Sequence, residues 1–455
     1  MRRGDRYPSV AVFAAAAMFA SMALLPIGAG ASAMTTPIWS RAFTPPNGAM
    51  GTAIAVGAAD HTVYVGGATS FAPNEFLVAA YTMGTGQRRW LGRYQCSDVT
   101  SDGCWIYPNS LALSPDGTTL YFTGGDQTGS HTRDMVTMAL DPVTGEARWS
   151  SRSRNVSDGA APRMALSPIG DRIFVAGPVG PDLRQGERVV AYEAINGALL
   201  WHIRTAGSAV PQTSIGVSPD GRRVFTSVGS VGTSHVLKTL ALDATTGSIL
   251  WTQRYDSRTG DDYGSDLAVD PGGSRVYVTD YREGYMPGGE GARLMWPLTI
   301  AYGASHGRLL WQRVEHGAFC DSMYFGVAAA RQRVFVTNGY AIESRSGRTG
   351  RAQWLTKTVG MPHWSDFDFH LAASADGRMV LASEPLTSPS GDAPSRLETV
   401  ALNASSGAIR STAVRRGVLW GEAVAGPNDA RVYVVATMPD GSGGYRGMLV
   451  MAYRA

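Results

Sequence analysis

The stretch from Ala139 to Trp149, ALDPVTGEARW, constrains the fold more than any other because much of the chain repeats it. It reads as a strand, a tight turn at Gly145 and a second strand that carries a tryptophan. AAYTMGTGQRRW ends at Trp90, AYEAINGALLW at Trp201, ALDATTGSILW at Trp251 and AYGASHGRLLW at Trp311. Recurrence of one unit at about fifty residues means a propeller or another repeat architecture, in which each unit buries its apolar face against the next.

A second unit lies upstream of each tryptophan unit: a short strand, a Ser-Pro-Asp-Gly type turn, then a strand with Val and an aromatic residue. LALSPDGTTLYFTGG, MALSPIGDRIFVAGP, IGVSPDGRRVFTSVG and LAVDPGGSRVYVTDY are clear copies. FGVAAARQRVFVTNG, LAASADGRMVLASEP, AVAGPNDARVYVVAT and IAVGAADHTVYVGGA keep the alternation and the turn position, which makes eight. The two units together give four antiparallel strands per repeat, A to D, and so predict an all-β, eight-bladed β-propeller of four-stranded antiparallel blades. The last repeat stops at LVMAYRA, in strand C, while Pro37-Ile38-Trp39-Ser40-Arg41 matches the sequence around Trp149. An N-terminal strand is therefore expected to complete the last blade and remove an open sheet edge. Two tryptophan units are degenerate. Ile342 to Trp354 reads as having extra residues in its turn, and ALNASSGAIRS has Ser411 where the tryptophan should be.

The pattern Ala-x-Asp-x-x-Thr-Gly-x-x-x-Trp is complete at Ala139, Asp141, Thr144, Gly145 and Trp149, and again at Ala241, Asp243, Thr246, Gly247 and Trp251. It resembles the tryptophan-docking motif of the quinoprotein (PQQ) dehydrogenase-like propellers, and the resemblance covers the chain from residue 34 onward. It implies a structural role: Gly permits the turn, Asp and Thr bond it locally, and Trp packs between blades. It does not by itself imply the quinone. Those dehydrogenases hold PQQ between a tryptophan floor and an adjacent-cysteine disulfide, beside a calcium ion. No Cys-Cys pair exists here. No cofactor is expected, with calcium or PQQ kept as the alternative.

Arg2, Arg3 and Arg6 precede an apolar run from Val10 to Leu25, and Ala31-Ser32-Ala33 offers the small residues of a cleavage site. Residues 1–33 therefore read as a signal peptide and residues 34–455 as one propeller domain of a secreted or extracytoplasmic protein. Loss of the signal peptide removes three Arg and one Asp, lowering the formal charge from +3 to +1. Such a balance gives no electrostatic reason to bind nucleic acid, and no stable membrane insertion is expected after cleavage. Cys96 and Cys104 bracket one connecting loop and are expected to form a disulfide in an oxidising compartment, leaving Cys320 over.

In an antiparallel meander the A–B and C–D turns share one face of the disc, and the B–C and D–A connections share the other. The first set is short and repetitive. The second carries the irregular insertions, including Gln95 to Asn109, Asp256 to Asp266, Gly317 to Tyr324 and Pro362 to His370. Binding and catalysis tend to reside on such loops. The residue before each strand A is, in order, Ala53, Ser110, Arg163, Ser214, Asp266, Tyr324, His370 and Glu422. Strand A is innermost, so Arg163, Asp266, Tyr324, His370 and Glu422 are expected to converge at the channel mouth and bind a polar small molecule or a protein partner. Asp266, His370 and Glu422 are the candidate cation ligands. The competing arrangement is a ring of mutually satisfied polar groups around channel water. Gly303-Ala304-Ser305-His306-Gly307 matches G-x-S-x-G, but it occupies a C–D turn with no strand-to-helix elbow to expose a nucleophile. The sequence thus favours a binding or interaction module. The alternative is an enzyme centred on the channel mouth, either a divergent quinoprotein dehydrogenase or a cation-dependent hydrolase or lactonase.

Overall fold

The computed structural model describes residues 36–455, apart from residues 97–103, 130–131, 158–161, 180–185, 206–212, 230–235, 257–265, 286–292, 315–325, 338–340, 359–369, 387–395 and 443. Each internal segment left out belongs to a B–C or D–A connection. Residues 1–33, read above as a signal peptide, and Cys320 lie outside the described residues. Eight four-stranded antiparallel sheets follow one another along the chain. Blades 1 to 7 span residues 49–95, 104–157, 163–204, 213–256, 266–314, 327–357 and 370–416. Blade 8 takes strands A to C from residues 421–454 and its outer strand from Trp39–Phe43, which pairs with Tyr445–Arg454 in the register Trp39↔Ala452. Among the described residues the only helix is the short 3-10 turn Pro427–Asp429, and no helix is long and apolar enough to cross a membrane.

The core is distributed around the ring. Eight apolar clusters each join two neighbouring blades, and the one containing Trp39, Tyr433 and Met448 of blade 8 with Val63, Leu77 and Tyr81 of blade 1 closes the circle. The Cys96–Cys104 disulfide sits in the cluster between blades 1 and 2.

Each residue of the repeat has an identifiable role. Within a blade, an aromatic residue of strand B, the motif Ala of strand C and the Trp of strand D lie side by side, as in Tyr121↔Ala139 and Ala139↔Trp149. The small Ala lets the two rings approach across it, to 6.0 Å between centroids for Tyr121 and Trp149 and 5.8 Å for Phe174 and Trp201. Each Trp then lies on the C–D turn of the next blade, and its indole N–H donates to a carbonyl there. Trp39 bonds Met83, Trp90 Pro142, Trp149 Ala194, Trp201 Ala244, Trp251 Ala304, Trp311 Gly347 and Trp354 Ala404. The turn glycine must be glycine for two reasons. Gly247 has a φ of +71°, and a Cβ there would stand 2.6 Å from Cε3 of Trp201. Asp243 Oδ1 fixes the same turn by accepting from the backbone N–H groups of Thr245 and Thr246.

The two degenerate units resolve differently. The turn of blade 6 has no extra residues: Ser344 pairs with Trp354 as Ala139 pairs with Trp149, and Gly350 with φ +67° lies under Trp311. Ser346 and Gly347 simply replace the Asp and Pro of the clear copy. At Ser411 the loss is physical. A tryptophan there would dock on the C–D turn of blade 8, but strands C and D of that blade come from opposite ends of the fold and no turn joins them. The companion aromatic of strand B is also lost, with Leu381 opposite Ala401. Arg410 makes the contact to blade 8 instead, through the carboxylate of Asp429 at 3.8 Å and its carbonyl at 3.4 Å.

Trp201→Ala or Trp251→Ala is expected to cost about 3–5 kcal/mol through the cavity left in a buried site, whereas Ser411→Trp gains nothing because it has no turn to meet; thermal or denaturant melting checks both. Deleting residues 34–43 opens the ring and bares the edge of Tyr445–Arg454, so a large drop in melting temperature is expected. Wild-type melting by that deletion would refute the closure.

Candidate functional site

The inner ring is set by cross-strand register. At the equivalent step the first strands carry the pairs Ala53↔Gly66, Arg163↔Ala176, Ser214↔Ser227, Asp266↔Thr279, His370↔Ser383 and Glu422↔Val435. Ser110 stands at the same step in blade 2, beside Leu111↔Phe122. Blade 6 departs from the sequence reading. Its A–B hairpin is two residues shorter, Ala328 pairing with Phe335 where blade 5 pairs Ala268 with Tyr277. Gly326 therefore holds the ring position: its carbonyl accepts from the Thr337 backbone N–H and its own N–H donates to the Thr337 hydroxyl. Tyr324 lies outside the described residues.

Four of the five expected site residues form one electrostatic group. Asp266, at the start of blade 5, feels the charges of Arg163 from blade 3 and His370 from blade 7. His370 Nε2 lies 3.1 Å from Oε1 of Glu422, a hydrogen bond that becomes an ion pair when the imidazole is protonated. Burial raises the Asp266 carboxyl above the ordinary carboxylate range, and the Arg163 charge only partly offsets this.

The remaining carboxylate oxygens are occupied by backbone. Asp266 accepts from the N–H groups of Leu267 at 2.8 Å and Val327 at 3.1 Å, and Glu422 Oε2 accepts from Ile54 N–H at 3.2 Å. The Val327 and Ile54 bonds run from one blade to the next, as do Ser110 Oγ to the Pro162 carbonyl and Thr52 Oγ1 to the Ile106 carbonyl. The inner ring thus staples blades together. Among the described residues no three His, Cys, Asp or Glu side chains are grouped so as to hold a metal ion. His370 is engaged by Glu422, and Asp266 and Glu422 each accept from backbone N–H groups. What the arrangement offers is an arginine for an anionic group, and an imidazole backed by a carboxylate for a donor or acceptor.

The G-x-S-x-G stretch is the C–D turn of blade 5. Gly303 N–H bonds the Arg308 carbonyl, Gly307 lies under Trp251, and Ser305 and His306 contact each other at 2.8 Å on the exposed surface.

Buried acids away from the channel were not legible from sequence. Glu187, fully buried between blades 3 and 4, accepts from Thr226 Oγ1 at 2.5 Å, and burial pushes its pKa up to about 8. Glu384 is paired across strands with Glu398. Burial, with the Glu398 charge adding to it, pushes Glu384 up to about 8 as well. Both acids are protonated in the fold at pH values where the unfolded chain has already ionised them. Each therefore stabilises fully below the ordinary carboxylate range and loses that contribution as pH rises toward about 8, at about 1.4 kcal/mol per pH unit. Melting temperature is expected to fall between pH 5 and pH 8, and Glu187→Gln to flatten the fall. An unchanged pH slope in that variant would contradict the assignment.

The fold and ring can be set against known proteins. The family model described as "Outer membrane protein assembly factor BamB" matches residues 32–236, 185–289 and 238–437. Among solved structures, BamB from Moraxella catarrhalis is similar at 17% identity and a TM-score of 0.52, over 93% of this chain and 100% of that one. The Dos1 propeller aligns at 11% identity and a TM-score of 0.56, over 92% and 95%. Quinohemoprotein alcohol dehydrogenase ADHIIG from Pseudomonas putida HK5 aligns at 13% and 0.51, over 92% and 76%. No curated protein matches the sequence. These structural likenesses show the propeller, and the family match spans nearly all of it: the chain belongs to the PQQ-like β-propeller family whose model is described as outer membrane protein assembly factor BamB.

Proposed function

We propose that the protein is an extracytoplasmic binding module that holds a protein partner, or a polar ligand, on the face built by the B–C and D–A connections. The observation that carries this reading is the grouping of Arg163, Asp266, His370 and Glu422 at the inner ends of those connections. Mixed charges drawn from blades 3, 5, 7 and 8 suit recognition of a polar, partly anionic group, with Arg163 as its anchor. The family description, which names an assembly factor, supports the interaction role. The Cys96–Cys104 disulfide supports an oxidising compartment.

One observation favours a second reading. Glu422 fixes the imidazole of His370, as a carboxylate does for a general base, which would suit an enzyme centred at the channel mouth.

Photo-crosslinking in the intact cell envelope separates these. A photoreactive residue at Phe71, exposed on the B–C connection of blade 1, is expected to capture a partner. The same residue at Ile195, exposed on a C–D turn of the opposite face, is expected to capture none. Arg163→Ala with Asp266→Ala should abolish capture at Phe71 and leave the far-UV spectrum unchanged. Equal capture from both faces, or capture that survives the double substitution, contradicts the proposed surface. The N-terminus of the recovered protein is expected at Met34.

A further inference from the structure

Blade 4 carries a row of hydroxyl groups that the binding site does not use. Ser214 pairs with Ser227, Ser227 with Thr239 and Thr239 with Gln253, so the four side chains share one face and cross the blade from channel to rim. That face looks at blade 5, because Phe225, Leu237 and Ala241, in step with the row, pack with Leu267, Val276, Val278 and Leu298 of blade 5. Asp280, fully buried and in step with Val276 and Val278, faces back toward blade 4. Ser214, Ser227 and Thr239 are 3%, 1% and 0% exposed, and the hydroxyl oxygen of each has no hydrogen-bond partner. Buried hydroxyls are paired as a rule, so three in file require an account.

The other blades act as internal controls. In blade 2 the same row is satisfied by protein: Ser110 bonds the Pro162 carbonyl, Thr123 the Val136 carbonyl at 3.0 Å and Ser151 the Gly197 carbonyl. In blades 3 and 8 the two middle positions are apolar, Ala176 with Val189 and Val435 with Val450. The fold therefore demands neither hydroxyls at this step nor that they go unpaired. Residues directly opposite on neighbouring strands have Cβ atoms about 4.5–5.5 Å apart, and one water molecule making two hydrogen bonds of about 2.8 Å covers that span.

We propose that the interface between blades 4 and 5 binds a file of ordered water molecules, bridging Ser214 to Ser227 and Ser227 to Thr239 and leading to Gln253 at the rim. Its inner end lies in the ring between Arg163 and Asp266, so the channel mouth gains an aqueous connection through the wall of the propeller. The file stands on the orphaned hydroxyls and is independent of the partner-binding reading.

A crystal structure at about 1.5 Å or better is the direct test. Water peaks are expected within hydrogen-bond distance of Ser214 Oγ, Ser227 Oγ and Thr239 Oγ1. Thr239→Val and Ser227→Ala should remove the adjoining peaks and lower the melting temperature. A slot without such peaks overturns the proposal, and so does a rise in melting temperature for Thr239→Val, the sign expected when a dry orphan hydroxyl becomes a methyl group.

Discussion

The interaction on which the rest depends is the indole of one blade lying on the turn glycine of the next. It combines apolar burial, an indole hydrogen bond and a backbone conformation that only glycine adopts without strain, and it repeats from Trp39 on Gly86 to Trp354 on Gly407. Each contact orients one pair of blades, and seven in series leave the eighth junction determined by closure. At that junction, between blades 7 and 8, Ser411 and Leu381 replace the large rings and Arg410 reaches Asp429. The repeat is abandoned only where the chain has no turn to offer.

Inside the ring of tryptophans lies a second circle whose members serve two purposes. Asp266 and Glu422 hold the backbone of the next blade, and in the proposed function the same carboxylates take part in recognition. As the binding surface proposed above, this circle would be preorganised, because its charged groups are already fixed by structural bonds before any partner arrives. The proposed function is thereby coupled to stability, because replacing these acids removes interblade bonds.

Much of this was legible in the sequence, for reasons that can be named. PIWSR at the N-terminus copied the sequence around Trp149, and the pairing Trp39↔Ala452 follows. The alternation of each strand put Arg163, Asp266, His370 and Glu422 at one step, and in the cross-strand register they occupy equivalent positions. In blade 6 that step falls to Gly326, because the hairpin is two residues shorter, and alternation alone does not reveal a deletion of even length. Glu187 and the hydroxyls of blade 4 were illegible for another reason. Alternation says which face of a strand a residue occupies, but not what the neighbouring blade sets against it. Thr226 opposite Glu187 and the unpaired Thr239 are facts of three dimensions.

Circular closure is the claim that supports the others, and amide hydrogen exchange resolved to short peptides tests it most directly. The backbone N–H of Ile38 bonds the carbonyl of Ala452, and residues 39–43 ladder onto Met448 to Ala452. The account predicts that amides of this N-terminal strand are protected to the same degree as those of Ile249–Asp256, the corresponding outer strand of blade 4. Exchange of the 38–43 segment at the rate of an unstructured chain, with the outer strand of blade 4 protected, would contradict it.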